Sequence, residues 1–232
     1  VTDGLAARDW PAIGAELDAQ GWTVLPRLLP ADGCAALTAL YEDDTRFRSR
    51  VEMARHGFGR GEYKYFADPL PEPVAALRGA LYARLAPVAE RWTTALGGET
   101  RYPPDHAGFL ARCHAAGQCR PTPLLLRYGP GDYNCLHQDL YGPHVFPLQV
   151  ATLLSPRDDF AGGEFVLTEQ RPRLQSRASV VPLLQGDAVV FAVRDRPVRG
   201  TRGTYRAILR HGVSTVRAGT RLVLGIIFHD AA

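Results

Sequence analysis

The stretch PLLLRYGPGDYNCLHQDLY, residues 123–141, decides how the rest of the chain is read. Leu124, Leu125 and Leu126 form an apolar run that ends in Arg127 and Tyr128, turns through Gly129, Pro130 and Gly131, and re-extends into Leu136, His137, Gln138 and Asp139. Two short extended runs around a Gly-Pro-Gly turn read as strands. Side chains alternate along a strand, so His137 and Asp139 share a face while Gln138 points away. An imidazole and a carboxylate aimed at one point supply two of the three ligands of a facial metal site.

Downstream the pattern of short strands continues, at Leu148 to Leu154, Gly163 to Thr168, Ser179 to Leu184, Asp187 to Val193, Ala207 to Ser214 and Thr220 to His229. Turn residues such as Gly162, Gly163, Gly186, Gly200 and Gly219 separate most of them. Short strands with no intervening helix predict a jelly roll or sandwich. Of the seven histidines, His211 is the best placed third ligand, near the start of the penultimate strand in LRHGVS. Arg221 opens the last strand, and alternation sets it on one face with Val223, Gly225 and Ile227. If that face is the barrel interior, a lone guanidinium among apolar groups demands an anion, which a dicarboxylate answers through a bidentate pair. Taken singly, His137 reads as a core histidine, Asp139 as a turn acid and Arg221 as a surface charge; their order and strand context join them. His144 reads as a loop residue, and His229 as a weak alternative ligand without a downstream arginine.

Upstream, Trp10 to Gln20 predicts a short helix stopped by Gly21, followed by a strand over Trp22 to Leu29. Asp32 can cap a second helix running to about Tyr41. Pro71 to Leu96 carries the strongest helical stripe, with Val74, Leu77, Leu81, Leu85, Val88 and Trp92, and Pro87 is expected to kink or divide it. Residues 97–122 read as a linking region with one helical turn around Phe109 to His114. The expectation is one domain over 1–232, with residues 1–122 a helical layer and basic lid and residues 123–232 a catalytic core.

The lid is the segment Arg46 to Phe66, RFRSRVEMARHGFGRGEYKYF, where six cations face only Glu52 and Glu62 and aromatic residues are interleaved. Arg55, Arg60, Lys64 and Tyr65 are candidates to grip a nucleic-acid strand or flipped base; the alternative is a solvated flap with its aromatics in the core. Gly57, Gly59 and Gly61 suggest mobility. A second basic cluster comprises Arg194, Arg196, Arg199, Arg202, Arg206 and Arg210. The 232 residues, 46% hydrophobic and 22% charged with a net charge of +3, describe an ordinary globular chain and do not by themselves argue for nucleic acid. Nothing resembles a signal peptide or a membrane span, so a cytoplasmic location is expected. Cys34, Cys113, Cys119 and Cys135 form no paired framework and read as reduced thiols; Cys113, His114 and Cys119 lack a fourth zinc ligand.

The combination of His137, Asp139, His211 and Arg221 resembles the iron and 2-oxoglutarate dependent dioxygenases, whose fold is a double-stranded β-helix of the jelly-roll kind. RYGPGDYNCLHQD is similar to the corresponding stretch of the AlkB nucleic-acid demethylases, in which a tyrosine at the position of Tyr128 contacts 2-oxoglutarate. The HGV start and the spacing from His211 to Arg221 resemble the prolyl hydroxylases. RHGFGRGEYKYF and LGIIFHD resemble a bacterial branch of the superfamily named for nucleic-acid oxygenation. The resemblance implies a mainly β enzyme with N-terminal helices, using Fe(II) and 2-oxoglutarate with O2 as cosubstrate. It also implies His137, Asp139 and His211 as iron ligands, with Arg221 and Tyr128 on 2-oxoglutarate. Leu126 stands where AlkB proteins have asparagine, and Ile227 where they have a second arginine. Asp139, a carboxylate, favours hydroxylation or oxidative demethylation over halide transfer. A nucleic-acid base, a peptide, an amino acid or another small molecule remain open as substrates, as does a non-catalytic binding module.

Overall fold

Along Leu148–Leu153 every residue is buried, because alternate side chains enter two different cores. Leu148 and Val150 pack with the N-terminal helices, while Ala151 and Leu153 pack with Phe165, Leu167 and Val223 inside the barrel. The computed structural model describes residues 2–201 and 203–232. Its helices are α1 (Thr2–Ala6), α2 (Trp10–Gln20), α3 (Ala31–Ala39), α4 (Glu72–Ala95) and α5 (His106–Ala115). Interleaved with them are β1 (Trp22–Leu25), β2 (Phe47–Glu52), β3 (Gly59–Arg60) and β4 (Glu62–Phe66). Then follow β5 (Leu124–Tyr128), β6 (Tyr133–His137), β7 (Leu148–Leu153), β8 (Phe160–Gly162), β9 (Phe165–Gln170) and β10 (Arg177–Val181). The chain closes through β11 (Ala188–Ala192), β12 (Asp195–Gly200), β13 (Gly203–Val213), β14 (Val216–Gly219) and β15 (Arg221–Ile227).

Seven strands form one sheet in the order β1-β11-β7-β15-β5-β4-β2. A second sheet runs β10-β9-β13-β6-β3 with β12 on β13, and β8 pairs with β14. Every named pairing is antiparallel. This is the mainly β, double-stranded β-helix expected, with helices covering the larger sheet. All six residues of the α4 stripe are buried, and α4 runs unbroken through Pro87. Arg78 also lies on that buried face, donating to Ile227 O at 2.9 Å and pairing with Asp230 at 2.8 Å.

Several boundaries differ from the sequence expectations. β1 ends at Leu25, and the chain turns at Arg27 with φ 48°. Pro30 rather than Asp32 occupies the N-cap of α3; Asp32 sits in the first turn, where its charge suits the helix dipole. The single turn expected near Phe109 is the ten-residue α5, capped by Asp105. β8, β12 and β14 were not legible as strands.

The Arg46–Phe66 segment differs most. It is a β2–β4 hairpin joined to β5, with β3 laid beside β6. Gly59 is needed for close approach, not looseness: at φ 129° a Cβ there would lie 2.3 Å from Tyr133 O.

Candidate metal and cosubstrate centre

His137 and His211 are directly opposed partners on the antiparallel neighbours β6 and β13, which sets their ring centroids 4.1 Å apart. Gly212 permits the approach, since a Cβ there would meet Asn134 O at 2.7 Å. Asp139 lies two residues past the end of β6, so its direction comes from the chain after the strand and not from alternation within it. It nevertheless reaches the same point. His137 Nε2 is 3.6 Å from Asp139 Oδ1, and His211 Nε2 is 3.4 Å from Asp139 Oδ2. Among the described residues these three form the one His/Cys/Asp/Glu cluster with metal-ligand spacing, their ligand atoms within 4.8 Å of one another.

Burial opposes ionisation of Asp139, but His211, His137 and Tyr141 together hold its carboxyl well below the usual carboxylate range. Burial, with His137 alongside, pushes the His211 imidazolium down. Both effects favour a neutral imidazole and an ionised carboxylate, the forms that ligate metals. His137 Nδ1 lies 2.8 Å from Cys135 O, a contact that makes Nδ1 the protonated nitrogen and leaves Nε2 free to coordinate.

Arg221 and Tyr128 face each other in register across β15 and β5, and the guanidinium carbon stands 5.6 Å from the tyrosine ring centroid. Arg221 is 2% exposed, and its Nε and Nη1 are buried without a partner. Burial pushes its pKa down to about 10, partly opposed by Tyr128, whose own pKa burial pushes up to about 12. A buried cation with two orphaned nitrogens is a receptor for an anion. The His, Asp and Arg side chains line one cavity of about 400 Å³, as do Tyr128, Tyr65, Tyr63, Phe58 and Leu126. The donors thus fit Fe(II), and the guanidinium fits a 2-oxoglutarate carboxylate.

The other sequence candidates are scattered. Tyr65 lines the cavity, but Lys64 is buried on the opposite side of β4, held by Tyr41 O at 2.7 Å and Asp44 at 2.6 Å. Arg55 pairs with Glu52 at 2.7 Å, and Arg50 with Glu62. Arg60 is exposed and has no ion pair among the described residues. In the second basic cluster Arg196 is buried against Glu169, and Arg194 and Arg206 share Asp195. Arg202 lies outside the described residues, and among the described members none lines the cavity. His144 gives its backbone N–H to Gln118, and His229 is buried, accepting from Phe146 N at 3.3 Å. Ile227 packs against Tyr65 and Leu124.

Two residues beside Asp139 were missed by the sequence reading, Tyr141 and Gln149. Tyr141 donates to Oδ1 at 2.6 Å and Gln149 to Oδ2 at 2.8 Å. A lone amide in the apolar run LQVATL was the available signal for Gln149.

The fold is shared with solved oxygenases. A prolyl-4-hydroxylase from Pseudomonas putida superposes with a TM-score of 0.55 at 17% identity, covering 96% of this chain and 99% of its own. An oxidoreductase of the 2OG-Fe(II) oxygenase family from Burkholderia pseudomallei gives 0.55 at 19% identity, covering 97% and 94%. The fold is therefore that of the 2OG-Fe(II) oxygenase superfamily. Within that superfamily the chain belongs to the Oxygenase-NA family, described as "oxygenase, catalysing oxidative methylation of damaged DNA", whose sequence model matches residues 61–231. An uncharacterized protein of Mycobacterium tuberculosis strain H37Rv is 53% identical over 168 residues, 72% of each chain.

Proposed function

We propose that His137, Asp139 and His211 hold Fe(II), and that Arg221, with the Tyr128 hydroxyl beside it, takes the distal carboxylate of 2-oxoglutarate. The enzyme couples decarboxylation of that cosubstrate to oxidation of a C–H bond, and the substrate is a methylated nucleic-acid base. The observation that carries the chemistry is the pairing of a three-ligand cluster with a buried, unpartnered guanidinium in one cavity. With O2, bound iron and 2-oxoglutarate supply the oxidising equivalent, releasing succinate and CO2. The chain's own part is to orient and enclose. Arg221 fixes one end of the cosubstrate through a charge-assisted pair, and apolar walls keep water from the reacting centre.

The nucleic-acid reading draws on the family description and on Phe58 and Tyr63, aromatic groups at the cavity with surface left for stacking. A second reading, hydroxylation of a peptide, amino acid or small molecule, is favoured by the internal pairing of most basic groups around the β2–β4 hairpin. A succinate-release screen over methylated single-stranded oligonucleotides, peptides and amino acids separates them. We expect release above the substrate-free rate only with oligonucleotides, and its loss in His137→Ala and Asp139→Ala. Turnover undiminished in both variants rejects the site; turnover on peptides alone rejects the substrate.

A further inference from the structure

The Asp139 carboxylate is held from both sides by neutral donors that belong to neither the β6 nor the β13 strand carrying the histidines. Tyr141 reaches Oδ1 from the chain just beyond it, at 2.6 Å, and Gln149 reaches Oδ2 from β7, at 2.8 Å. Tyr65, on β4, donates to the Tyr141 hydroxyl at 3.1 Å, so two hydroxyls in series donate toward the carboxylate. Tyr65 is itself fixed: the Arg48 guanidinium carbon lies 4.5 Å from its ring centroid, and Arg48 donates to Pro121 O at 2.8 Å. Gln149 is fixed by its strand, with Phe191 and Ile227 opposite it on the two sides. Its amide has one consistent orientation, because turning the oxygen toward Asp139 would oppose two negative ends.

We infer that Tyr141 and Gln149 are positioning residues for the metal carboxylate and that Tyr65 sets Tyr141; this rests on the reading of Asp139 as an iron ligand. Asp139 needs such support because it lies beyond the β6 ladder, where no strand pairing fixes its direction. The chemistry of the donors matters as much as their number. An arginine or lysine in either place would neutralise the carboxylate and compete with the metal for it. A phenol and an amide fix both oxygens and leave the full negative charge for the ion.

The test is titration of the metal-free 232-residue chain with Co(II), followed by visible absorption, alongside metal-free thermal melting. Tyr141→Phe keeps the ring and removes one donor; Gln149→Leu keeps most of the side-chain volume and removes the other. Each is expected to weaken Co(II) binding roughly 10- to 100-fold and to alter the Co(II) spectrum, with metal-free melting close to wild type. Tyr65→Phe, one hydroxyl further out, is expected to weaken it less. Wild-type Co(II) affinity in both Tyr141→Phe and Gln149→Leu, with Asp139→Ala binding lost, overturns the inference. So does a fall in affinity that merely tracks a fall in metal-free melting, which would assign the three residues to loop stability. Wild-type affinity in Asp139→Ala overturns the ligand reading itself.

Discussion

A guanidinium that is 2% exposed and leaves two nitrogens without partners, as Arg221 does, costs stability until an anion arrives. Removing it should therefore have opposite effects on folding and binding. Arg221→Met is expected to raise the stability of the metal-free, cosubstrate-free protein by about 1–3 kcal/mol, because a desolvated charge is replaced by an apolar chain of similar length. The same change should cost roughly 2–5 kcal/mol of 2-oxoglutarate binding and leave Co(II) affinity alone. Melting curves and 2-oxoglutarate titrations check the two halves; a destabilised variant with unchanged 2-oxoglutarate affinity would contradict both. Gly163 belongs to the same corner, since at φ 63° a Cβ there would meet Arg221 Cδ at 2.8 Å. The residues whose side chains meet in the cavity, His137, Asp139, His211 and Arg221, were legible because histidines, an acid and an arginine stand out from the apolar runs around them. Their supports were not. A tyrosine and a glutamine acquire meaning only when the fold brings them against Asp139.

At the scale of elements, the β2–β4 hairpin shows what charge counting misses. Alternation along β4 turns Tyr63 and Tyr65 to the cavity and Lys64 away from it, and Lys64 is held under Tyr41 with its Nζ 4.4 Å from the ring centroid. Lys64→Ala should accordingly cost about 2–4 kcal/mol of stability, from lost burial and broken hydrogen bonds, with oligonucleotide affinity unaffected once the protein is folded. Arg60→Ala should leave stability within about 0.5 kcal/mol, yet weaken single-stranded oligonucleotide binding and reduce its salt dependence by about one charge. Urea unfolding and binding at two salt concentrations read both; equal binding losses in the two variants would restore the picture of a freely basic lid. β5, β7, β11 and β15 were legible because their apolar runs match strand length. β12, DRPVRG, was not: it is charged and contains proline, and its extended form comes from pairing with β13. The partners of Lys64 and Arg196 come from residues distant in sequence, Asp44 and Glu169, so their burial was equally hidden.

For the whole molecule, acid sensitivity follows from groups spread over the fold. Burial holds His106 and His229 at about 4, below the ordinary value of about 6.5 for histidine. Between those values the unfolded chain takes up protons that the folded one does not, so stability falls as pH drops from about 6.5 toward 4. Burial opposes ionisation of Glu169, yet Arg171 and Arg196 hold its carboxyl below the usual range, so its contribution is present above about pH 4.5 and is lost on further acidification. The metal-free protein should show a urea midpoint that declines from pH 7.5 to 5 and more steeply below 4.5; a flat midpoint between 7.5 and 5 would contradict the burial of neutral imidazoles. The same global view gives the N-terminal strands a second meaning. β1 lies along β11, β4 along β5 and β3 along β6. Cut away residues 1–122, and three rows of backbone donors and acceptors lose their partners at once, two of them in strands that also carry Tyr128 and His137. The N-terminal segment thus extends both sheets, and β1, β2 and β3 stand as their terminal strands in place of β11, β5 and β6.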